Sequence, residues 1–217
     1  MWTLSLALVA ALLILAFALL AGEMLEGDTR TFDMALLRTA QSLRAAQPWV
    51  SEVTRDFSGL GSSVVLSLFT AITVGYLALV STRTGALLVA ASAISGSVCV
   101  SAFKAAFGRT RPDTAYAELV TTGLSFPSGH ATLSAVVFLT LGTLVASTRT
   151  RWVERVYIVC AAVLMTVLVG ASRVALGVHW ATDVLGGWAF GSAWAIAWLL
   201  LASFLDRRGS HASRRRT

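Results

Sequence analysis

The chain has 217 residues, 56% of them hydrophobic and only 13% charged, where a soluble domain carries about 25% charged residues. The deficit excludes an ordinary soluble fold, and the length allows one domain spanning 1–217. A formal net charge of +6 does not argue for nucleic acid, because the basic residues sit in short loops and in the tail from Arg207 to Arg216, a juxtamembrane pattern that fixes orientation and meets anionic lipid.

A helix crossing a bilayer needs about 17–25 mostly apolar residues. Six uncharged stretches qualify, at 2–22, 60–81, 85–103, 131–147, 156–172 and 184–205. Irregular backbone cannot face lipid, so each is expected to be a helix, and the fold class is all-α: a polytopic bundle of six transmembrane helices. The first stretch is too long for a signal peptide and has no basic residue before it, so it is expected to remain as a helix. Between the first two lies a polar segment, 23–59. Leu36, Ala40 and Leu43, then Trp49, Val53 and Phe57, recur there at one-sided helical spacing, with Pro48 at a first-turn position. The segment is expected to form two amphipathic helices lying on the bilayer surface; a lid beside a site is the sharper alternative. Ser81-Thr82-Arg83-Thr84 recurs as Ser147-Thr148-Arg149-Thr150, too short a match to mean duplication. Cys99 and Cys160 fall in apolar runs and are expected to be packing residues.

Six spans put both termini on one side. Lys and Arg barely distinguish the two sides until Lys104, Arg111 and Arg173 are set aside for their chemistry. The balance then makes the termini and the tail, 206–217, cytoplasmic.

Those three cations belong to clusters, within 104–183, that all fall opposite the termini. Lys104 to Arg111-Pro112 leaves the third helix. Pro127-Ser128-Gly129-His130 enters the fourth. Ser172-Arg173 to His179 and Asp183 joins the fifth and sixth. Ionisable residues at a membrane edge are costly and mark function. Three cations suit a phosphoryl group, with Arg able to grip two oxygens and Lys acting as a point charge. Ser128 is placed to cap a helix, and Gly129 lets backbone N–H groups approach an anion. His179 and Asp183 are four residues apart and share a face if the turn is helical. The carboxylate would then fix the tautomer of the imidazole and strengthen its other nitrogen as a nucleophile. One carboxylate and two histidines among three cations make a poor metal site.

In order, these clusters are K-x6-R-P, P-S-G-H and S-R-x5-H-x3-D. The pattern resembles the type 2 phosphatidic acid phosphatase superfamily, whose relatives include glucose-6-phosphatase and the vanadium-dependent haloperoxidases. The resemblance implies that His179 attacks phosphorus to form a phosphohistidine, that Asp183 orients it, and that His130 protonates the leaving oxygen. It implies that Lys104, Arg111, Ser128, Gly129 and Arg173 hold the phosphoryl oxygens, with no metal and no cofactor. The expected function is hydrolysis of a lipid phosphate or polyprenyl diphosphate: undecaprenyl diphosphate, phosphatidylglycerophosphate or phosphatidic acid. The expected partners are that substrate and membrane lipid, not nucleic acid. The expected location is the inner (plasma) membrane, with the site extracytoplasmic. A lipid phosphotransferase using a non-water acceptor is the alternative. A non-enzymatic transporter would not need the motif residues, and haloperoxidase relatives are soluble. Sequence leaves the oligomeric state open.

Overall fold

The computed structural model describes residues 2–80 and 83–214. The side chains of the basic tail, 206–217, and Ser81-Thr82 of the repeated tetrapeptide lie outside the described residues. Among the described residues there are eight α-helices and one 3-10 turn: α1 (Trp2–Glu26), α2 (Arg30–Ala46), α3 (Trp49–Leu60), α4 (Ser63–Val80), α5 (Arg83–Phe107), the turn Thr114–Tyr116, α6 (Gly129–Ser147), α7 (Trp152–Ala175) and α8 (Ala181–Arg214). Six of them, α1 and α4 to α8, contain spans of 18 to 25 residues long and apolar enough to cross a membrane. The six expected spans are present, and most run past the uncharged stretch. α5 takes in Arg83 and Lys104, and α7 begins at Trp152. Charged side chains at helix ends keep their heads in water or in a site, so a charge does not end a membrane helix.

The centre of the bundle is α6, which packs against α4, α5, α7 and α8. Small residues make the close packing possible. At Gly191 an added Cβ would lie 2.5 Å from the backbone oxygen of Thr132, so α8 and α6 approach backbone to backbone there. At Gly170 it would meet the Trp188 ring at 2.4 Å. α1 packs along α8, fastened by an aromatic cluster. Phe17 stacks on Phe126 at 5.6 Å and meets Phe103 and Phe190 at 5.1 and 5.6 Å, while Phe107 stands edge-on to Phe126 at 5.1 Å. Such pairs add about 0.5–1.5 kcal/mol each beyond the area they bury. Phe126 is completely buried and directly precedes Pro127, so this cluster anchors the loop that leads into α6.

The segment 23–59 does form two helices, α2 and α3, with Pro48 immediately before α3. Their apolar stripe faces outward: Leu36, Leu43, Trp49 and Val53 are exposed, as a bilayer-facing stripe would be. The opposite face, however, packs against α7 and α8 and buries Asp33, Leu37, Arg44 and Ser58. Arg44 reaches the backbone oxygens of Ala175 and Tyr116. Its Nε faces Glu118 at 3.4 Å, an ion contact without hydrogen-bond alignment. The helices are thus docked by polar contacts invisible to a hydrophobic pattern. The cysteine expectation holds for one of the pair: Cys99 packs against the phenylalanine cluster, but Cys160 is exposed on α7, because an apolar run that faces lipid leaves one side unpacked.

Candidate active site

The three clusters meet at one end of the bundle. α5 delivers Lys104 in its last turn, and the following loop carries Arg109 and Arg111. α6 begins at Gly129-His130, α7 carries Arg173 in its last turn, and α8 carries Asp183 in its first. Arg173, His179, Arg111 and Lys104 all lie within electrostatic reach of the His130 ring.

His179 and Asp183 are paired, but not by a shared helical face. His179 precedes α8 in an irregular turn, and Asp183 lies inside the helix. The pairing comes from a helix-start geometry. Asp183 Oδ2 accepts from the backbone N–H of Trp180 at 2.9 Å, the reach-back of a third helical residue to its cap. The same oxygen lies 3.2 Å from His179 Nδ1 and accepts from the Ser125 hydroxyl. On the other side of the ring, Arg111 Nη1 lies 3.0 Å from His179 Nε2. A guanidinium can only donate, so Nε2 accepts, and Nδ1 keeps the proton that it donates to Asp183. Burial pushes the His179 pKa down to about 4, with Arg111 and Arg173 acting in the same direction and the hydrogen bond and charge of Asp183 opposing them. The ring is therefore neutral at pH 7, with its lone pair on Nε2.

Ser128 stands at the N-cap of α6, but its hydroxyl does not cap. Backbone bonds hold Ser128 in place: its O accepts the first intrahelical bond from Thr132 N–H at 2.9 Å, and its N–H donates to Asp183 O at 3.0 Å. The Ser128 hydroxyl and Nε of Arg173 are buried and have no protein partner, a costly state unless a ligand satisfies them. A Cβ at Gly129 would meet only Val100, at 3.8 Å, so the space glycine leaves is not filled by protein. Lys104 Nζ donates to Leu124 O at 2.5 Å, and Arg111 to Val178 O at 2.8 Å and Gly123 O at 3.0 Å. Arg173 Nη1 donates to Ser58 Oγ at 2.5 Å. Among the described residues no group of three or more His, Cys, Asp or Glu side chains comes together as a metal-ligand set.

Four residues at the site escaped the sequence reading: Ser125, Ser58, Arg109 and Asp33. Arg109 bridges Asp183 Oδ1 and Asp33 Oδ2, both at 2.6 Å. Its position two residues before Arg111 was a usable signal. A lone aspartate in an amphipathic segment and two serines carry none.

This fold and this constellation are those of a membrane phosphate ester hydrolase. The chain belongs to the PAP2 superfamily, whose profile matches residues 85–207. It is 34% identical over 184 residues to phosphatidylglycerophosphatase B of Bacillus subtilis, covering 82% of this chain and 87% of that protein. A shorter match, 39% identical over 71 residues, is to an undecaprenyl-diphosphatase of Sulfolobus acidocaldarius and covers 33% of this chain and 30% of the relative. The crystal structure of a transmembrane PAP2-type phosphatidylglycerolphosphate phosphatase from Bacillus subtilis superposes with a TM-score of 0.79 at 30% identity, over 91% of this chain and 96% of that one.

Proposed function

We propose that the chain removes phosphate from a membrane lipid by passing the phosphoryl group first to His179 and then to water. The observation that carries this reading is the placing of His179 between Asp183 at Nδ1 and Arg111 at Nε2, from which the tautomer follows. Asp183 holds the Nδ1 proton of His179, and the lone pair on Nε2 points toward Arg111, in the cluster where a phosphoryl group is neutralised.

When substrate enters, Arg111 turns its Nη1 from Nε2 to a phosphoryl oxygen. Lys104 and Arg173 supply further positive charge, while the Ser128 hydroxyl, the Gly129 N–H and Arg173 Nε donate to the oxygens. Nε2 attacks phosphorus, the N–P bond forms and the P–O bond to the lipid breaks. The negative charge of the bound phosphate offsets the cations around His130 and lets it carry a proton, which it gives to the departing oxygen, while Asp183 stabilises the charge on His179. Water then attacks the phosphohistidine and gives a proton to His130. Phosphate leaves, and the imidazole returns to its starting state. Catalysis here is positioning and charge stabilisation, the two parts that phosphoryl transfer needs.

A lipid substrate fits the surroundings of the site. A groove of about 510 Å³ runs between α4, α5 and α6, lined by Leu66, Thr70, Ile94, Val98, Leu133 and Val137. Leu133 and Val137 follow His130 along one face of α6, so an acyl chain in the groove would leave its headgroup beside the histidine. The long match to phosphatidylglycerophosphatase B makes a glycerolipid phosphate monoester the first substrate to test. The site is taken to face away from the cytoplasm of an inner (plasma) membrane.

The test is phosphate release by purified protein in detergent, on phosphatidylglycerophosphate, phosphatidic acid and undecaprenyl diphosphate. Release from at least one lipid is expected in the presence of chelator. Vanadate should inhibit it, because a five-coordinate adduct resembles the transition state. Complete loss in chelator that magnesium reverses would sink the metal-free reading. A phosphorylated acceptor in place of free phosphate would replace hydrolysis with transfer.

A further inference from the structure

The two oxygens of Asp183 serve different partners. Oδ2 faces His179, Trp180 N–H and Ser125. Oδ1 meets Arg109 Nη1 at 2.6 Å, and Nη2 of the same guanidinium meets Asp33 Oδ2 at 2.6 Å. Asp33 is only 1% exposed and comes from α2. It is held in turn by the backbone N–H of Thr182 at 2.9 Å and by the Thr182 hydroxyl at 2.7 Å. Arg109 also donates to Thr182 Oγ1 at 2.7 Å and lies over the Trp180 ring at 5.5 Å. Both terminal nitrogens of Arg109 are thus engaged with carboxylates, unlike Arg173, whose Nε has no partner.

We propose that Arg109 and Asp33 are positioning residues: the carboxylate on α2 fixes the Arg109 fork, the fork pins Oδ1 of Asp183, and Oδ2 is thereby presented to Nδ1 of His179. A carboxylate turns easily about its terminal bond, so an anchor at Oδ1 adds to the three contacts at Oδ2 in holding its plane. A planar fork with two donors held on two carboxylates supplies that anchor in a fixed geometry, whereas a lysine ammonium, a compact charge on a flexible stem, does not impose a plane. The inference rests on the reading of His179 and Asp183 given above. It adds that a helix outside the signature motifs sets the aim of the nucleophile.

The experiment measures kcat and KM for the purified full chain carrying Arg109→Gln, Arg109→Lys, Asp33→Asn, the pair Asp33→Asn/Arg109→Gln, and Asp183→Asn. Removing an outer partner that orients a metal-ligating histidine costs about 10–100-fold, and the same order is the expectation for an oriented nucleophile. A fall of about that size in kcat is expected for Arg109→Gln, with KM held within about 3-fold. Asp33→Asn keeps an oxygen for the Thr182 N–H but loses the charge that holds Arg109, so a smaller fall is expected. In the pair, the two losses should not multiply, since Asp33→Asn keeps an acceptor for the Thr182 N–H and what it removes, the charge facing Arg109, has no effect once Arg109 is gone. If Arg109→Gln fails to fold, Arg109→Lys carries the test: it keeps the charge without the fork and should still lose kcat at constant KM. Losses that multiply in the pair overturn the inference, as does a rise in KM without a fall in kcat. Full turnover in Arg109→Gln, with turnover lost in Asp183→Asn, overturns it while leaving the phosphohistidine reading intact. Full turnover in Asp183→Asn overturns both.

Discussion

At the scale of single residues, the two histidines differ in what surrounds them. His179 is clamped between Asp183 and Arg111, whereas His130 stands in the first turn of α6 among the cations. A general acid contributes about 10²–10⁴-fold, and most where the leaving oxygen most needs a proton. His130→Ala should therefore cripple hydrolysis of a lipid alkyl phosphate and largely spare an aryl phosphate, whose phenolate departs without help. Equal losses on both substrates, in protein shown to be folded, would remove His130 from the acid role. His179 also makes a stability prediction. Its folded pKa, about 4, lies below the ordinary value of 6.5. Between those values the unfolded chain binds more protons at this site, so stability falls as pH drops from 6.5 toward 4 and the loss is complete below both. Thermal unfolding in detergent should drop more between pH 7 and 5 for the wild type than for His179→Gln. Identical slopes would mean that His179 is not a depressed, buried group.

At the scale of elements, the site depends on how closely α6 and α8 approach. A Cβ at Gly191 would stand 2.5 Å from Thr132 O and 2.9 Å from the Ala135 Cβ. Backbone cannot swing aside as a side chain can, so Gly191→Ala must push the helices apart, at about 1–3 kcal/mol. Thr132 is two residues from His130, and a shift of about 1 Å at a reacting group can cost about 10²-fold. Turnover of Gly191→Ala should fall by about that factor, whereas Gly75→Ala, with nothing near the added carbon, should match the wild type. Assay of both variants decides it, and a fully active Gly191→Ala would show that the helices can separate without moving His130. The same scale explains why α2 and α3 were read only in part from sequence. Their apolar stripe predicted two helices, and those helices formed. The residues that dock them, Asp33, Arg44 and Ser58, are polar side chains whose partners lie on α7, α8 and the segment between α5 and α6, and no local pattern connects them.

At the scale of the whole molecule, the two ends of the bundle differ: one carries the site, the other the exposed loop at Arg149 and Arg151. Exposed Thr150 and Ala115 report the two sides. With Cys99 and Cys160 replaced, a single cysteine at Ala115 should react with an impermeant reagent on intact cells, and one at Thr150 should not. Labelling at 150 alone would invert the orientation.

Sequence by itself determined the membrane class, the six spans and the order of the signature clusters, because apolar length and motif spacing are properties of contiguous chain. Lys104, Arg111, His130, Arg173, His179 and Asp183 were named from it, and they do converge at one end of the bundle. Tertiary structure alone decided how they are held. It set Asp183 against His179 through a helix-start turn rather than a helical face, left the Ser128 hydroxyl uncapped and brought Asp33 and Arg109 to the far oxygen of Asp183. Each of these depends on groups distant in sequence or held in an irregular turn. Periodicity encodes which face of a helix is apolar, but not which buried charge will find which partner when the helices close.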